Sequence, residues 1–228
     1  MTKILYYLII KPISLLPWTV LYFLSDFSYL ILYKVFRYRI SIVDQNLSNS
    51  FPEKSSQEIR DLRRNFYHHF CDIIVESLKI FSISGEDAKN RFVVKNPEIL
   101  KPYFDQGRSV LIAGGHYNNW EMLAVGIDSY IEHQSVAIYH RLGNKFMNDK
   151  ALESRGKYGL NMVPRQEVKD YFAQTKDLTA TIFGADQSPS IAKKVYWMQF
   201  FNQETAIMFG VEKFAKEKNS PVIFGGIQ

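Results

Sequence analysis

The sequence predicts an α/β fold, a mostly parallel sheet flanked by helices, behind an N-terminal membrane-associated helix. Two observations predict it, and a third narrows the chemistry. Short apolar strands alternate with helical stretches through the second half of the 228 residues, the pattern of a largely parallel sheet. An apolar run from Ile13 to Tyr33 is 21 residues long, enough to cross a bilayer. The one cysteine, Cys71, sits in an apolar helical pattern, which rules out an intrachain disulfide framework and any cysteine-based metal site.

The N-terminal segment, residues 1–40, is expected to be a membrane anchor or an interfacial helix. Trp18, Tyr22 and Tyr29 give the run an aromatic character, and Lys34, Arg37 and Arg39 follow it directly, the order of an anchor with a basic cytoplasmic flank. Asp26 and several serines favour an amphipathic helix lying in the interface almost as strongly. A cleaved signal peptide fits poorly, because Pro12 and Pro17 interrupt the region and the basic cluster comes after the apolar run. Five Lys/Arg against Asp26 alone place +4 of the net charge of +5 in this segment. The body is therefore nearly neutral. That disfavours nucleic acid as a partner and favours an anionic membrane surface.

Residues 41–228 are expected to form the α/β domain. Ser55-x-x-Glu58 reads as a capping box, opening a helix with Ile59, Leu62, Phe66, Ile73, Ile74 and Phe81 at helical spacing. His68 and His69 are adjacent on that helix and point about 100° apart, so they cannot share a ligand face. Beyond Gly85, Ser109–Ala113 reads as a strand broken by Gly114-Gly115, followed by a helix from Asn118 through Ile127. Further strands are expected at Ser135–His140, Thr179–Gly184 and Pro221–Gly225. Helices are expected near Lys145–Tyr158, Gln166–Thr175 and Thr205–Lys218. Phe200-Phe201 is expected to pack in the core. Because the last residues, Pro221–Gln228, read as a strand, a C-terminal part of the domain is expected to be missing.

The segment with chemistry in it is Ala113-Gly-Gly-His-Tyr-Asn-Asn-Trp-Glu121. His116 follows a strand and two glycines, and Glu121 lies in the next helix. An imidazole in the turn can fold back on the first helical turn. There the Glu121 carboxylate would accept its N–H, set its tautomer and stabilise the imidazolium. The glycines would let a bulky substrate approach the backbone. The scattered histidines and the absence of a carboxylate cluster give no metal site. No Gly-x-Ser-x-Gly elbow is present, which counts against an α/β-hydrolase.

These residues resemble a known family. His-x4-Asp/Glu is the signature of the glycerolipid acyltransferase superfamily, and the wider setting resembles its lipid A biosynthesis branch, the lauroyl/myristoyl acyltransferases. The matching pieces are Gln45-Asn-Leu-Ser-Asn-Ser-Phe-Pro-Glu53, Gly115-His-Tyr-Asn-Asn-Trp-Glu121, Tyr139-His-Arg-Leu-Gly-Asn144, Ser154-Arg155 and Gly184-Ala-Asp-Gln187, in the family's order. The resemblance implies an acyltransferase that moves a fatty acyl chain from an acyl carrier protein or coenzyme A thioester to a lipid hydroxyl, with no cofactor. By it, His116 is the general base and Glu121 its orienter. Arg155 would meet the sugar-phosphate head group or the developing oxyanion. Asp186 would bind the acceptor or hold Arg155. Arg141 and Asn144 are further substrate-binding candidates, with Asn118 behind them. The implied acceptor is a lipid A precursor, with ornithine or glycine lipids and lysophospholipids as alternatives. The implied location is the cytoplasmic side of the bacterial inner membrane. A membrane lipid-binding protein without catalysis is the rival from another class.

Overall fold

A computed structural model describes residues 1–187, 189 and 195–228. The chain opens with two helices, Thr2–Leu15 and Trp18–Val35, bent by 119° at the break between them. This corrects the expectation of one helix over Ile13–Tyr33. Pro17 disfavours the helical conformation in the residue before it, and Leu16 is extended (φ −62°, ψ 148°), as is Pro17 itself (φ −58°, ψ 153°). Among the described residues no single helix is long and apolar enough to cross a membrane.

The helix Ile40–Ser50 leads to the long helix Ser56–Lys79, which starts with the expected capping box: the Glu58 N–H donates to Ser55 Oγ, and the Ser55 N–H donates to Glu58 Oε2 at 2.9 Å. Its buried stripe is Ile59, Tyr67, Cys71 and Val75, a spacing of four or eight residues. The stripe therefore runs beside the one expected from Phe66 and Ile74, both of which are exposed. Cys71 is a small buried hydrophobe, packed with Tyr29 and Tyr67. His68 stacks on the Tyr29 ring with centroids 3.6 Å apart.

The central sheet holds β1 (Val110–Gly114), β2 (Gln134–Tyr139), β3 (Asn161–Pro164), β4 (Thr179–Gly184) and β7 (Val222–Phe224). Their order is β3-β2-β4-β1-β7, and all four pairings are parallel. The helices Trp120–Gly126, Lys145–Gly156 and Val168–Gln174 make the successive crossovers, as the alternating pattern predicts. β3 was not expected; it is short, lies at the sheet edge and ends in Pro164, which an edge strand tolerates. Val110 and Ala180, side by side in β1 and β4, are fully buried and pack with Leu100, Tyr103, Ile131 and Ile223 on one patch of core. A second patch joins Ile80, Ile83, Ala88, Met122 and Val125, so the helix after β1 is wedged against the end of the long helix.

The stretch before the last helix differs from expectation. β5 (Val195–Phe200) and β6 (Gln203–Met208) form an antiparallel hairpin, and the helix starts only at Gly210. The expected helix over Thr205–Lys218 is thus shortened, because Thr205–Met208 pairs across to β5. Phe201 and Asn202 both take positive φ, 49° and 58°, the two-residue turn that glycine and asparagine normally supply. A phenylalanine in that place hides the turn from a reading of the sequence. Phe200 and Phe201 lie half exposed on this hairpin, not in the core.

Candidate active site

β1 and β4 run side by side with Gly114 opposite Gly184, and the site lies just beyond their carboxyl ends, where parallel sheets collect ligands. His116 comes two residues after β1 and Asp186 two residues after β4. The His116 backbone N–H donates to Asp186 Oδ2 at 2.7 Å, and its ring Nδ1 lies 2.8 Å from Oδ1 of the same carboxylate. Burial works to raise the Asp186 pKa, but the hydrogen bonds from the His116 ring and backbone outweigh it and hold the carboxyl below its ordinary value. An ionised carboxylate only accepts. Nδ1 therefore carries the proton, which in the neutral imidazole leaves the lone pair on Nε2. The Trp120 ring meets the imidazole edge-on, with centroids 5.2 Å apart.

This replaces the expected His116–Glu121 contact. Glu121 opens the helix Trp120–Gly126 and points inward, with its residue only 8% exposed. There it is gripped by Arg155 from the end of Lys145–Gly156: Nε donates to Oε2 at 2.8 Å, and Nη2 donates to Oε1. The bond to Glu121 outweighs burial and raises the Arg155 pKa further, so the guanidinium stays charged. Asp186 in turn holds His116, not Arg155. The six sequence candidates thus separate into two carboxylate pairs, His116 with Asp186 and Arg155 with Glu121, and two residues that are engaged elsewhere. Arg141 pairs with Glu167 on the surface. Asn144 caps the helix Lys145–Gly156, its Oδ1 accepting from the Met147 N–H at 3.0 Å and its Nδ2 donating to Thr2.

The turn between His116 and Glu121 is shaped by two asparagines. Asn118 takes φ +57°, a left-handed conformation that asparagine tolerates. Asn119 is the helix cap, its Oδ1 accepting from the Met122 N–H at 3.0 Å. Beneath the ring, a Cβ on Gly184 would sit 2.6 Å from His116 Cε1, and one on Gly115 would sit 3.1 Å from Asp186 Oδ2. Glycine at 184 is therefore what lets the imidazole lie against the strand end. Gly184→Ala should push the ring aside and lower turnover by roughly 10²-fold, the cost of an ångström-scale misplacement. Gly143→Ala, where an added Cβ meets nothing within 4 Å, serves as the control and should leave kcat unchanged.

A cavity of about 460 Å³ lies nearby, with Ile112, Ile182 and Ile223 from three adjacent strands on one wall and Leu123 and Ile127 on the other. Asn118 from the His116 turn also lines it. Among the described residues no group of three or more histidine, cysteine or acidic side chains is placed to hold a metal ion.

Comparison with known protein families gives a match. The family model described as bacterial lipid A biosynthesis acyltransferase matches residues 1–224. No curated protein matches the chain.

Proposed function

Since the chain belongs to the bacterial lipid A biosynthesis acyltransferases, we propose that it moves a fatty acyl chain from an acyl carrier protein or coenzyme A thioester to a hydroxyl of a lipid A precursor, with His116 as general base. The observation that carries this reading is the pairing of His116 Nδ1 with Asp186 at the mouth of the sheet, which leaves Nε2 as a base for an incoming hydroxyl. Nε2 takes the hydroxyl proton as the oxygen attacks the thioester carbonyl. The C–S bond then breaks, the ester forms, and the proton passes from Nε2 to the leaving thiolate. Asp186 balances the transient imidazolium. Arg155, fixed and kept charged by Glu121, is the cation for the acceptor's phosphate or for the developing oxyanion. The cavity lined by Ile112, Ile182, Ile223, Leu123 and Ile127 suits the acyl chain, and Arg91 and Lys95, which also line it, suit an anionic group on donor or acceptor. Arg141, paired with Glu167, and Asn144, a helix cap, would each have to exchange a present partner to reach the substrate.

The membrane reading gains support from how the first two helices face. The inner side of the second helix buries Leu21 and Tyr29 and meets the long helix through hydroxyl and carboxylate groups: Tyr22 donates to Glu76 at 2.7 Å and Ser25 donates to Asp72 at 2.7 Å. The outer sides of the first two helices carry Ile4, Leu8, Phe23, Phe27 and Leu30 into the surroundings, Leu8 at 71% and Phe23 at 70% exposure. So many large apolar side chains exposed on two neighbouring helices suit a lipid surface. With Lys34, Arg37 and Arg39 behind it, the bent pair reads as an interfacial anchor on the cytoplasmic side of the inner membrane.

Membranes carrying the full chain, offered labelled acyl carrier protein and acyl-CoA with a lipid A precursor, an ornithine lipid and a lysophospholipid, test the proposal. Label on the lipid A precursor is expected. Label on another acceptor instead would reassign the substrate. Lipid binding without transfer to any acceptor would replace the enzyme with a lipid-binding protein.

A further inference from the structure

Glu76 stands on the last turns of the long helix and takes no part in the two carboxylate pairs of the site, yet it touches both the anchor and the catalytic turn. Its Oε1 accepts from the Tyr22 hydroxyl at 2.7 Å, across 54 residues of sequence, and its Oε2 accepts from Asn119 Nδ2. The Asn119 amide cannot be turned the other way, because its oxygen is already occupied by the Met122 N–H. Asn119 is itself buried, and it lies between His116 and Glu121 in sequence. One carboxylate therefore joins two donors: one on a helix whose outer face is apolar, the other on the turn that sets the general base.

We propose that Glu76 is a positioning residue for acyl transfer, tying the N-terminal helices to the His116–Glu121 turn so that their seating on a lipid surface sets the geometry of the base. The inference rests on the membrane reading above. The neighbouring contact from Ser25 to Asp72 docks the same two helices one turn away, with no link to the turn. It separates positioning from mere docking. Cutting the link on the anchor side, by Tyr22→Phe, leaves the Glu76–Asn119 bond in place and keeps the fold.

The experiment uses the full chain on vesicles of phosphatidylethanolamine and phosphatidylglycerol. It compares the wild type with Tyr22→Phe, Glu76→Ala, Glu76→Gln and Ser25→Ala, measuring kcat, KM for the acyl donor, vesicle co-sedimentation and amide hydrogen exchange of residues 116–122. Tyr22→Phe, at a residue that does not line the cavity, is expected to lower kcat roughly 10-fold or more with KM unchanged, since a small misplacement of the base acts on the chemical step, and Glu76→Ala should lower kcat at least as much. Glu76→Gln, which still accepts one hydrogen bond, should recover part of the loss, and Ser25→Ala should keep wild-type kcat. Vesicles should slow exchange at 116–122 in the wild type and not in Tyr22→Phe. Wild-type kcat in Glu76→Ala, an equal loss in Ser25→Ala, or exchange in the wild type that vesicles leave unaltered would overturn the proposal. A wild type that transfers acyl chains without sedimenting with vesicles would overturn both it and the membrane reading. A wild type that shows the vesicle-dependent protection but transfers to no acceptor would leave the coupling standing and refute only the acyltransferase assignment of the site.

Discussion

Asp186→Asn is expected to cost nearly as much turnover as His116→Ala, roughly 10²–10⁴-fold in kcat, while leaving the protein folded. The reason is a constraint of donors and acceptors. The His116 backbone N–H can only donate, and it now donates to Oδ2. An asparagine must turn its oxygen there, which leaves its NH₂ facing Nδ1. The ring must then accept at Nδ1 and carry its proton on Nε2, where the base is needed. Single-turnover rates on vesicles decide the matter. If Asp186→Asn keeps more than a tenth of wild-type kcat while Glu121→Gln abolishes it, the orienter is Glu121 after all. The same bonds link Asp186 to pH. Its folded pKa lies below the unfolded value of 3.8, so its contribution to stability is complete above that pH and is lost as pH falls through the folded value. With a side chain 43% exposed, that contribution is small.

Glu121→Ala should be the more destructive change for the fold. The Glu121 side chain is 10% exposed and that of Arg155 31%, and the two are joined by a bidentate grip. Removing the carboxylate strands a charged guanidinium beside the core patch that holds Met122 and Val125. Breaking a fully buried pair from one side costs about 3–5 kcal/mol, and the partial exposure of Arg155 places this one at the lower end, about 3 kcal/mol. At this chain length that is a fall in Tm of about 10 °C. The double variant Glu121→Ala/Arg155→Met should recover stability without recovering activity. Thermal unfolding in detergent measures both. A single variant that melts with the wild type would mean that the pair carries no structural load, and a double variant that melts below the single one would mean that Arg155 has other partners.

The sequence made the parallel sheet legible because its strands are short apolar runs that stop at glycine, and β4 falls where the pattern put it, at Thr179–Gly184. The capping box at Ser55 was legible for the same reason, its two partners being three residues apart. The β5–β6 hairpin was not, since its turn uses Phe201 where glycine would have announced it. The bend between the first two helices was not legible in hydropathy, which averages across Leu16 and Pro17, although Pro17 itself marks the interruption. At the site, the participants His116, Glu121, Arg155 and Asp186 could be read from the motifs, but not their pairing. Local spacing favours Glu121 as the partner of His116, whereas the true neighbour arrives from another strand, 70 residues on.

That strand order has a consequence for synthesis of the protein. β1 and β2 are made first but do not touch; β4, made after β3, is the strand that lies between them. At about 5–20 residues per second, Asp186 leaves the ribosome several seconds after His116. Throughout that interval the two earlier strands have unpaired inner edges, and the imidazole has no carboxylate. On the proposed mechanism the chain is therefore inert toward acyl donors while it is being made, and its imidazole gains a carboxylate in the same event that joins β1 to β2, with β7 still to be added at the edge.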